Sequence, residues 1–435
     1  MSADLDSLTP KRWYSGLTGY HWLVLAVATM GWMFDTMDQW LYVFAKGPAL
    51  KELLGPTATP DDIKHYTAIV QSIFIFGWAT GGFVFGVIGD KLGRTRTMAL
   101  TVLMYAGFTG LSALSQSWVD FAVYRFFTGF GVGGEFAAGA SLIAEVFPNH
   151  ARAAALSIMQ AFSSLGNVTA AVLNLFVGSN PDFGWRWMFA IGLLPALLVA
   201  VIRIFVKEPE SWHHAKAEAA KGTIALGSIK ELFTSPEVKR NVIVGMLLAA
   251  VGVIGFWGIG TWTPELMREI INPTNDPAQQ KIVETYVSYG GITQNLGAFV
   301  GMLFWGVMAA RFGRKPTFVF SLVSTAIIIP ITFVTTVGLT QALIYFSMIG
   351  FCLGGMFAGF AVYFPELFPT RLRATGIGFC YNAARYMAMF SPMVLGWLSA
   401  EFGFRNAGAL MACVFPLGLI VLYFAPETKN KPLPE

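Results

Sequence analysis

Residues 86–97 read GVIGDKLGRTRT and residues 306–317 read GVMAARFGRKPT, two basic, glycine-punctuated loops that each follow a long apolar run. A second pair of strings keeps the same interval: GGEFAAGASLIAEVFPNHARA starts at Gly133 and GGMFAGFAVYFPELFPTRLRA at Gly354, again about 220 residues on. Two matched motifs at one interval describe a six-helix unit duplicated in parallel. In carriers built from repeats, the substrate site lies between the repeats near the membrane midplane.

Working outward from these loops, the chain reads as membrane-embedded. Of its 435 residues, 55% are hydrophobic, 15% aromatic and only 12% charged, against roughly a quarter charged in a soluble protein. Runs such as YHWLVLAVATMGWMF and LMACVFPLGLIVLYFA approach the roughly 20 apolar residues needed to cross about 30 Å of hydrocarbon as a helix. They lack the short alternation of barrel strands. Hydropathy places spans at 20–45, 67–89, 97–116, 121–147, 153–178 and 186–206, then at 241–267, 284–309, 316–336, 340–364, 374–399 and 405–425. The expected fold class is therefore an all-α membrane protein of twelve transmembrane helices in two six-helix halves. The expected divisions are 1–206 for the N-terminal half, 207–240 for a polar linker and 241–435 for the C-terminal half.

The net charge of +4 is unevenly placed. The N-terminal tail, the even-numbered loops and the C-terminal tail hold Lys11, Arg12, Lys91, Arg94, Arg96, Arg152, Lys207, Arg311, Arg314, Lys315, Arg371, Arg373 and Lys429 among others, whereas the opposite loops hold few basic residues. By the positive-inside rule both termini are expected to be cytoplasmic. Residues 1–19 lack the pattern of a secretory signal. Cys352, Cys380 and Cys413 fall inside apolar spans, too far apart for a metal-ligand pattern, and read as small buried residues.

These motifs resemble the major facilitator superfamily over essentially the whole chain. Gly86, Asp90, Lys91, Gly93, Arg94 and Arg96 look like its loop between spans 2 and 3. The second copy keeps Gly306, Arg311, Gly313, Arg314 and Lys315 but has Ala310 in place of the aspartate. The E-x-F-P-x-x-x-R pattern (Glu145, Phe147, Pro148, Arg152; Glu366, Phe368, Pro369, Arg373) is similar to the branch of sugar porters and proton symporters of organic acids. Asp35-Thr36-Met37-Asp38, similar to a D-G-x-D motif, together with Gly133-Gly134-Glu135 and the stretch ELFPTRLRATGIGFCYNAAR, resembles the sialate/lactate and aromatic-acid symporters. Thr36 departs from the family's glycine. Span 7 lacks the paired Gln and the Asn of hexose porters, and span 5 lacks the Gly-Pro motif of exporters. The resemblance implies a plasma-membrane (cell inner membrane) carrier.

Ionisable residues at membrane depth cost several kcal/mol unless they face a partner or a wet cavity, so they mark candidate function. Asp35 and Asp38, three apart on span 1, share a helical face and resist double ionisation. Arg125 enters span 4 at a similar height, where it could pair with Asp38 as part of a proton switch or as a fixed ion pair. Glu135 lies roughly 15 Å further along by helical rise and reads either as a second proton site or as a packing residue. Arg385 lies roughly 18 Å beyond Arg373. It would meet either a substrate carboxylate, with Asn382 and Tyr381 lining the same region, or an internal acid such as Glu135 or an aspartate. Gln160, Asn167 and Asn174 repeat every seven residues on span 5 and line either the cavity or a helix seam. Gln294, Asn295, Trp257 and Trp262 are weaker candidates. Asp90, Arg94, Glu145, Arg152, Arg314, Glu366 and Arg373 are expected to clamp the cytoplasmic helix ends as a gate.

The expected function is secondary active, proton-coupled symport of a small organic acid by alternating access. A sugar or polyol porter, a metabolite exporter and a non-transporting membrane sensor are the alternatives. No HExxH, GxSxG or phosphate-loop motif suggests an enzyme. The expected partners are an anionic small molecule, a proton and the lipid bilayer. No cofactor, metal or nucleic acid is implied, and a monomer is the expected state.

Overall fold

The computed structural model describes residues 13–178, 184–222, 224–273, 279–388 and 390–434. Lys11 and Arg12, part of the charge asymmetry, lie outside the described residues. The N-terminal bundle comprises α1 (Gly19–Leu54), α2 (Pro60–Leu92), α3 (Arg94–Ser112), α4 (Trp118–Val146), α5 (Asn149–Leu173), α6 (Gly184–Ile191) and α7 (Leu197–Phe205). Two helices, α8 (Glu210–Ala220) and α9 (Ile229–Thr234), occupy the polar connection. The C-terminal bundle comprises α10 (Pro236–Gly258), α11 (Thr263–Ile271), α12 (Gln280–Phe312), α13 (Arg314–Thr335), α14 (Leu339–Leu367), α15 (Arg373–Ala388), α16 (Ser391–Phe402), α17 (Phe404–Met411) and α18 (Val414–Tyr423). No strand occurs among the described residues.

Among the described residues, nine helical stretches are long and apolar enough to cross a membrane. Spans 1, 3 and 11 of the hydropathy reading fall on α1, α3 and α15–α16, outside that set. Asp35, Thr36, Asp38 and Gln39 in α1 and Arg94 and Arg96 in α3 lower the mean hydropathy, whereas α15 and α16 are short, at 16 and 12 residues. Exposed side chains such as Leu197, Ile204, Val337 and Tyr423 point away from the bundles, as a lipid-facing surface requires.

Spans 6, 7 and 12 are broken within the described residues. Span 6 divides into α6 and α7 at a 3-10 turn, Leu194–Ala196, and span 12 divides into α17 and α18 at Ala412 and Cys413. Span 7 breaks between α10 and α11 at Ile259, followed by a 3-10 turn, Gly260–Trp262. The freed Gly260 carbonyl accepts from Gln294 Nε2 at 2.8 Å, and Thr263 Oγ1 donates to Gln294 Oε1 at 2.6 Å. A side chain from α12 thus satisfies backbone that the break would leave bare. Cys352 and Cys380 are buried as expected, but Cys413 is exposed. Its place at the α17–α18 break turns it outward, a direction hydropathy does not encode.

The duplication is visible in packing. A Cβ on Gly81 of α2 would lie 1.9 Å from the Phe130 carbonyl oxygen on α4, and one on Gly301 of α12 would lie 2.1 Å from the Phe351 oxygen on α14. Glycine lets each pair of backbones touch, the usual basis of close helix contact in membranes. Between bundles, α2 packs on α15 and α5 on α12. Gly378 marks a close backbone approach in the first contact, since a Cβ there would lie 2.4 Å from the Gly82 oxygen.

Candidate substrate and proton site

Asp35 and Asp38 leave α1 on one face, yet their surroundings differ. Arg125 of α4 donates to both oxygens of Asp38, at 3.2 and 3.0 Å, and Thr109 of α3 donates to Oδ1 at 2.5 Å. The guanidinium also lies over the rings of Phe74, Tyr42 and Phe189, at 4.8, 5.0 and 5.5 Å. This is a bidentate, charge-assisted pair in an aromatic cage. Asp35 is equally buried, but among the described residues its hydrogen bond is a long one, 3.4 Å, from Gln39, and Oδ2 has no partner there. Between them, Thr36 Oγ1 reaches the Ser163 oxygen on α5 at 2.9 Å. The residue that replaces the expected glycine therefore ties α1 to α5.

Glu135 is buried at the contact of α4 with α1 and α3. Its Oε2 lies 2.9 Å from Thr101 Oγ1, and Oε1 has no hydrogen-bond partner among the described residues. The next residue, Phe136, faces the other bundle: its ring stacks on Tyr381 at 4.7 Å and lies 5.0 Å from Trp32.

Arg385 of α15 is 8% exposed, and among the described residues no carboxylate lies within ion-pair distance of it. The guanidinium lies 4.0 Å from the Trp78 ring on α2 and 4.4 Å from the Tyr381 ring. Asn382 Oδ1 accepts from it at 2.6 Å, while Asn382 Nδ2 donates to the Gly378 oxygen at 2.7 Å. Asn382 therefore uses both ends of its amide to hold the arginine, and Tyr381 supplies one wall.

The amides of span 5 divide. Gln160 is buried with Oε1 unpartnered, and Asn167 donates to Asn295 Oδ1 across the bundles at 3.1 Å, leaving its own Oδ1 without a partner. Gln294 has both ends of its amide engaged at the α10–α11 break.

At the basic end, the predicted charges assemble into a network that crosses the interface. Asp90 of α2 accepts from the backbone N–H of Ala374 and Thr375, at 3.1 and 2.9 Å, and from the Thr375 hydroxyl at 2.6 Å. An acid of one bundle thereby caps the first turn of a helix in the other, where the helix dipole favours negative charge. Arg94 pairs with Asp90 at 3.1 Å and Glu145 at 2.9 Å. Arg373 then joins Glu145 at 2.6 Å from the opposite side. Arg314 pairs with Glu366 within the C-terminal bundle at 2.6 Å. Arg152 occupies the position equivalent to Arg373, but it donates to the Ala144 oxygen and Asn149 Oδ1 of its own bundle. The network is thus asymmetric.

Sequence reading missed two acids that brace this end. Glu208 accepts from the N–H of Thr95 and Arg96 at 3.1 and 3.0 Å, capping α3. Glu427 accepts from the N–H of Arg314 and Lys315, both at 3.0 Å, capping α13. Each cap follows a glycine with positive φ, Gly93 at 109° and Gly313 at 104°. The signal was present in the paired strings EPES and PETK, each just beyond the last span of its half. In the linker, Ser211 donates to Glu145 Oε2 at 3.1 Å and Trp212 Nε1 to the Asp90 oxygen at 2.8 Å.

A duplicated all-helical fold with this network at one end agrees with a sequence-profile match to the Major Facilitator Superfamily over residues 22–278 and 265–435. The chain belongs to the Major Facilitator Superfamily. It is similar to a putative metabolite transport protein of Haemophilus influenzae, at 28% identity over 96% of this chain and 99% of that protein. It is also similar to the cis,cis-muconate transport protein of Acinetobacter baylyi, at 29% over 84% and 86%, and to the sialic acid transporter NanX of Escherichia coli, at 27% over 94% and 95%. The proton:xylose symporter XylE, solved with 6-bromo-6-deoxy-D-glucose, shares the fold with a TM-score of 0.76 at 20% identity, over 95% of this chain and 98% of that one. As a member of this superfamily, the protein is a multi-pass membrane transporter and not an enzyme.

Proposed function

We propose that the protein is a proton-coupled symporter that takes up a small organic acid by alternating access of its two halves, 1–206 and 241–435, linked by 207–240. The observation that carries this reading is the pairing of deficits at the interface. Among the described residues, Arg385 has no carboxylate at ion-pair distance, and Asp35 has no cation there. A buried guanidinium without a counter-ion is poised for a bidentate carboxylate, and the flanking Trp78 and Tyr381 rings suit a flat, conjugated or ring-bearing acid. Arg385 is also the cation within electrostatic reach of Asp35. When a substrate carboxylate takes over Arg385, Asp35 loses its compensating charge and takes up a proton. Substrate and proton thus travel together.

The network from Asp90 to Arg373 is the gate. With both termini in the cytoplasm, as the charge asymmetry favours, the closed end is cytoplasmic and the carrier faces outward. We place it in the cell inner membrane as a monomer. Relatives whose names refer to muconate and sialic acid, and a proton symporter among the fold neighbours, support the reading.

The test is uptake into proteoliposomes under an imposed pH gradient, with cis,cis-muconate, sialate, nicotinate, lactate, benzoate and xylose. Accumulation of an acid that rises with the inward proton gradient is expected. Uptake of xylose but no acid would overturn the substrate class, and acid uptake indifferent to the gradient would overturn the coupling.

A further inference from the structure

We infer that Glu135 is a resident neutral acid: it stays protonated inside the N-terminal bundle, hydrogen-bonded to α3 and packed against α1 one turn from Asp35, and does not exchange its proton during transport. Donor and acceptor counting leads there. Thr101 Oγ1 lies 2.9 Å from the Met98 carbonyl oxygen and 2.9 Å from Glu135 Oε2. A hydroxyl has one proton to give. The carbonyl can only accept, so both contacts are satisfied together when Thr101 donates to Met98 and Glu135 donates to Thr101. Asp38 shows the opposite arrangement, since Thr109 donates to it and Arg125 compensates its charge.

The surroundings agree. Glu135 is 1% exposed. Its other oxygen lies against α1, where a Cβ on Gly31 would come within 2.3 Å of it, with the apolar Leu198 of α7 beyond. The residues before and after it on α4 supply the faces toward α2 and the other bundle: Gly133 against Trp78 and Gly82, and Phe136 against Tyr381. The titratable groups near this position are Asp35 on α1 and Tyr105 on α3, and Arg125, ten residues earlier on α4, is engaged by Asp38. None is a free cation. Two carboxylates without an ion-pair contact among the described residues, Asp35 and Glu135, sit within reach of one another, and a buried like-charged pair retains a proton. Arg385 lies near Asp35, so the proton that stays belongs to Glu135.

The inference rests on the symport reading only in naming the cycle from which Glu135 is excluded. Its test needs no substrate. Infrared spectra of the full chain in lipid nanodiscs, recorded from pH 5 to 9, should show a protonated-carboxyl C=O stretch that persists throughout. The band should be lost in Glu135→Gln, kept in Asp35→Asn, and shifted but present in Thr101→Val, which removes its acceptor. A band that vanishes on raising the pH, or one that survives Glu135→Gln, would overturn the inference. A persistent Glu135 band in a protein that carries no acid would leave the inference standing and count against the symport reading instead.

Discussion

Glu145 of α4 and Arg373 of α15 form a 2.6 Å ion pair with both side chains fully buried, joining the N-terminal bundle to the C-terminal one. Its mate under the duplication, Glu366 with Arg152, is not formed: Glu366 pairs with Arg314, and Arg152 caps backbone in its own bundle. The clamp therefore depends on one copy of a repeated motif.

Breaking that copy should open the basic end. Removing one partner of a buried pair costs about 3–5 kcal/mol, and the contact with Arg373, unlike the Arg94–Glu145 pair within one bundle, exists only in the closed form. Spin labels at Lys91 and Arg311, both exposed, in a background with the exposed Cys413 replaced by serine, should report a longer distance in Glu145→Gln. Arg152→Gln should leave the distance as it is. Equal effects from the two substitutions would refute the asymmetry.

Gly378→Ala should weaken the same closed form by another route. The added Cβ would meet the Gly82 oxygen at 2.4 Å, backbone that cannot turn aside, and overpacking of this kind costs about 1–3 kcal/mol. Thermal unfolding in detergent should show a lower midpoint than wild type. Gly107→Ala, which meets nothing within 4 Å, is the control and should not fall.

At Arg385, lysine keeps the charge but lacks the planar fork and the stacking between Trp78 and Tyr381. Hydrogen bonds to charged groups are worth about 1.5–3 kcal/mol. Arg385→Lys should therefore weaken the transported acid by roughly 10- to 100-fold in KM, and Arg385→Gln by more. Unchanged KM in both variants would remove the residue from the site.

Glu427 should give the basic end an acid-sensitive component. Burial pushes its carboxyl up, but the backbone N–H groups of Arg314, Lys315, Lys429 and Thr428 together hold it below its ordinary value of 4.5. A depressed folded-state value means that the stabilisation is present above pH 4.5 and is lost as pH falls through the lower, folded-state value. Wild type should melt above Glu427→Gln at pH 7, and the gap should narrow as pH falls below 4.5. A gap that is constant with pH would show that the carboxylate's charge contributes nothing.

Hydropathy, charge placement and the repeated strings were enough to read a duplicated helical carrier and to put Asp35, Asp38, Glu135 and Arg385 at depth. Those signals are local, because a segment's solvent is written in its own side chains. Partnership is not local. Asp35 and Asp38 stand three residues apart in the same helix, yet Asp38 pairs with Arg125 from α4 while Asp35 makes no ion pair among the described residues, because only one lies opposite that side chain once α1 and α4 are packed. Arg152 and Arg373 occupy equivalent places in one motif, and the interface alone separates the residue that bridges from the one that does not. Gln294 looked like a cavity amide until the break in α10–α11 presented a bare carbonyl to it. The sequence by itself determined the duplicated helical fold and the end that bears the basic loops; only the tertiary structure decided which charges are compensated, since that depends on contacts between helices far apart in the chain, such as Glu145 and Arg373, 228 positions apart.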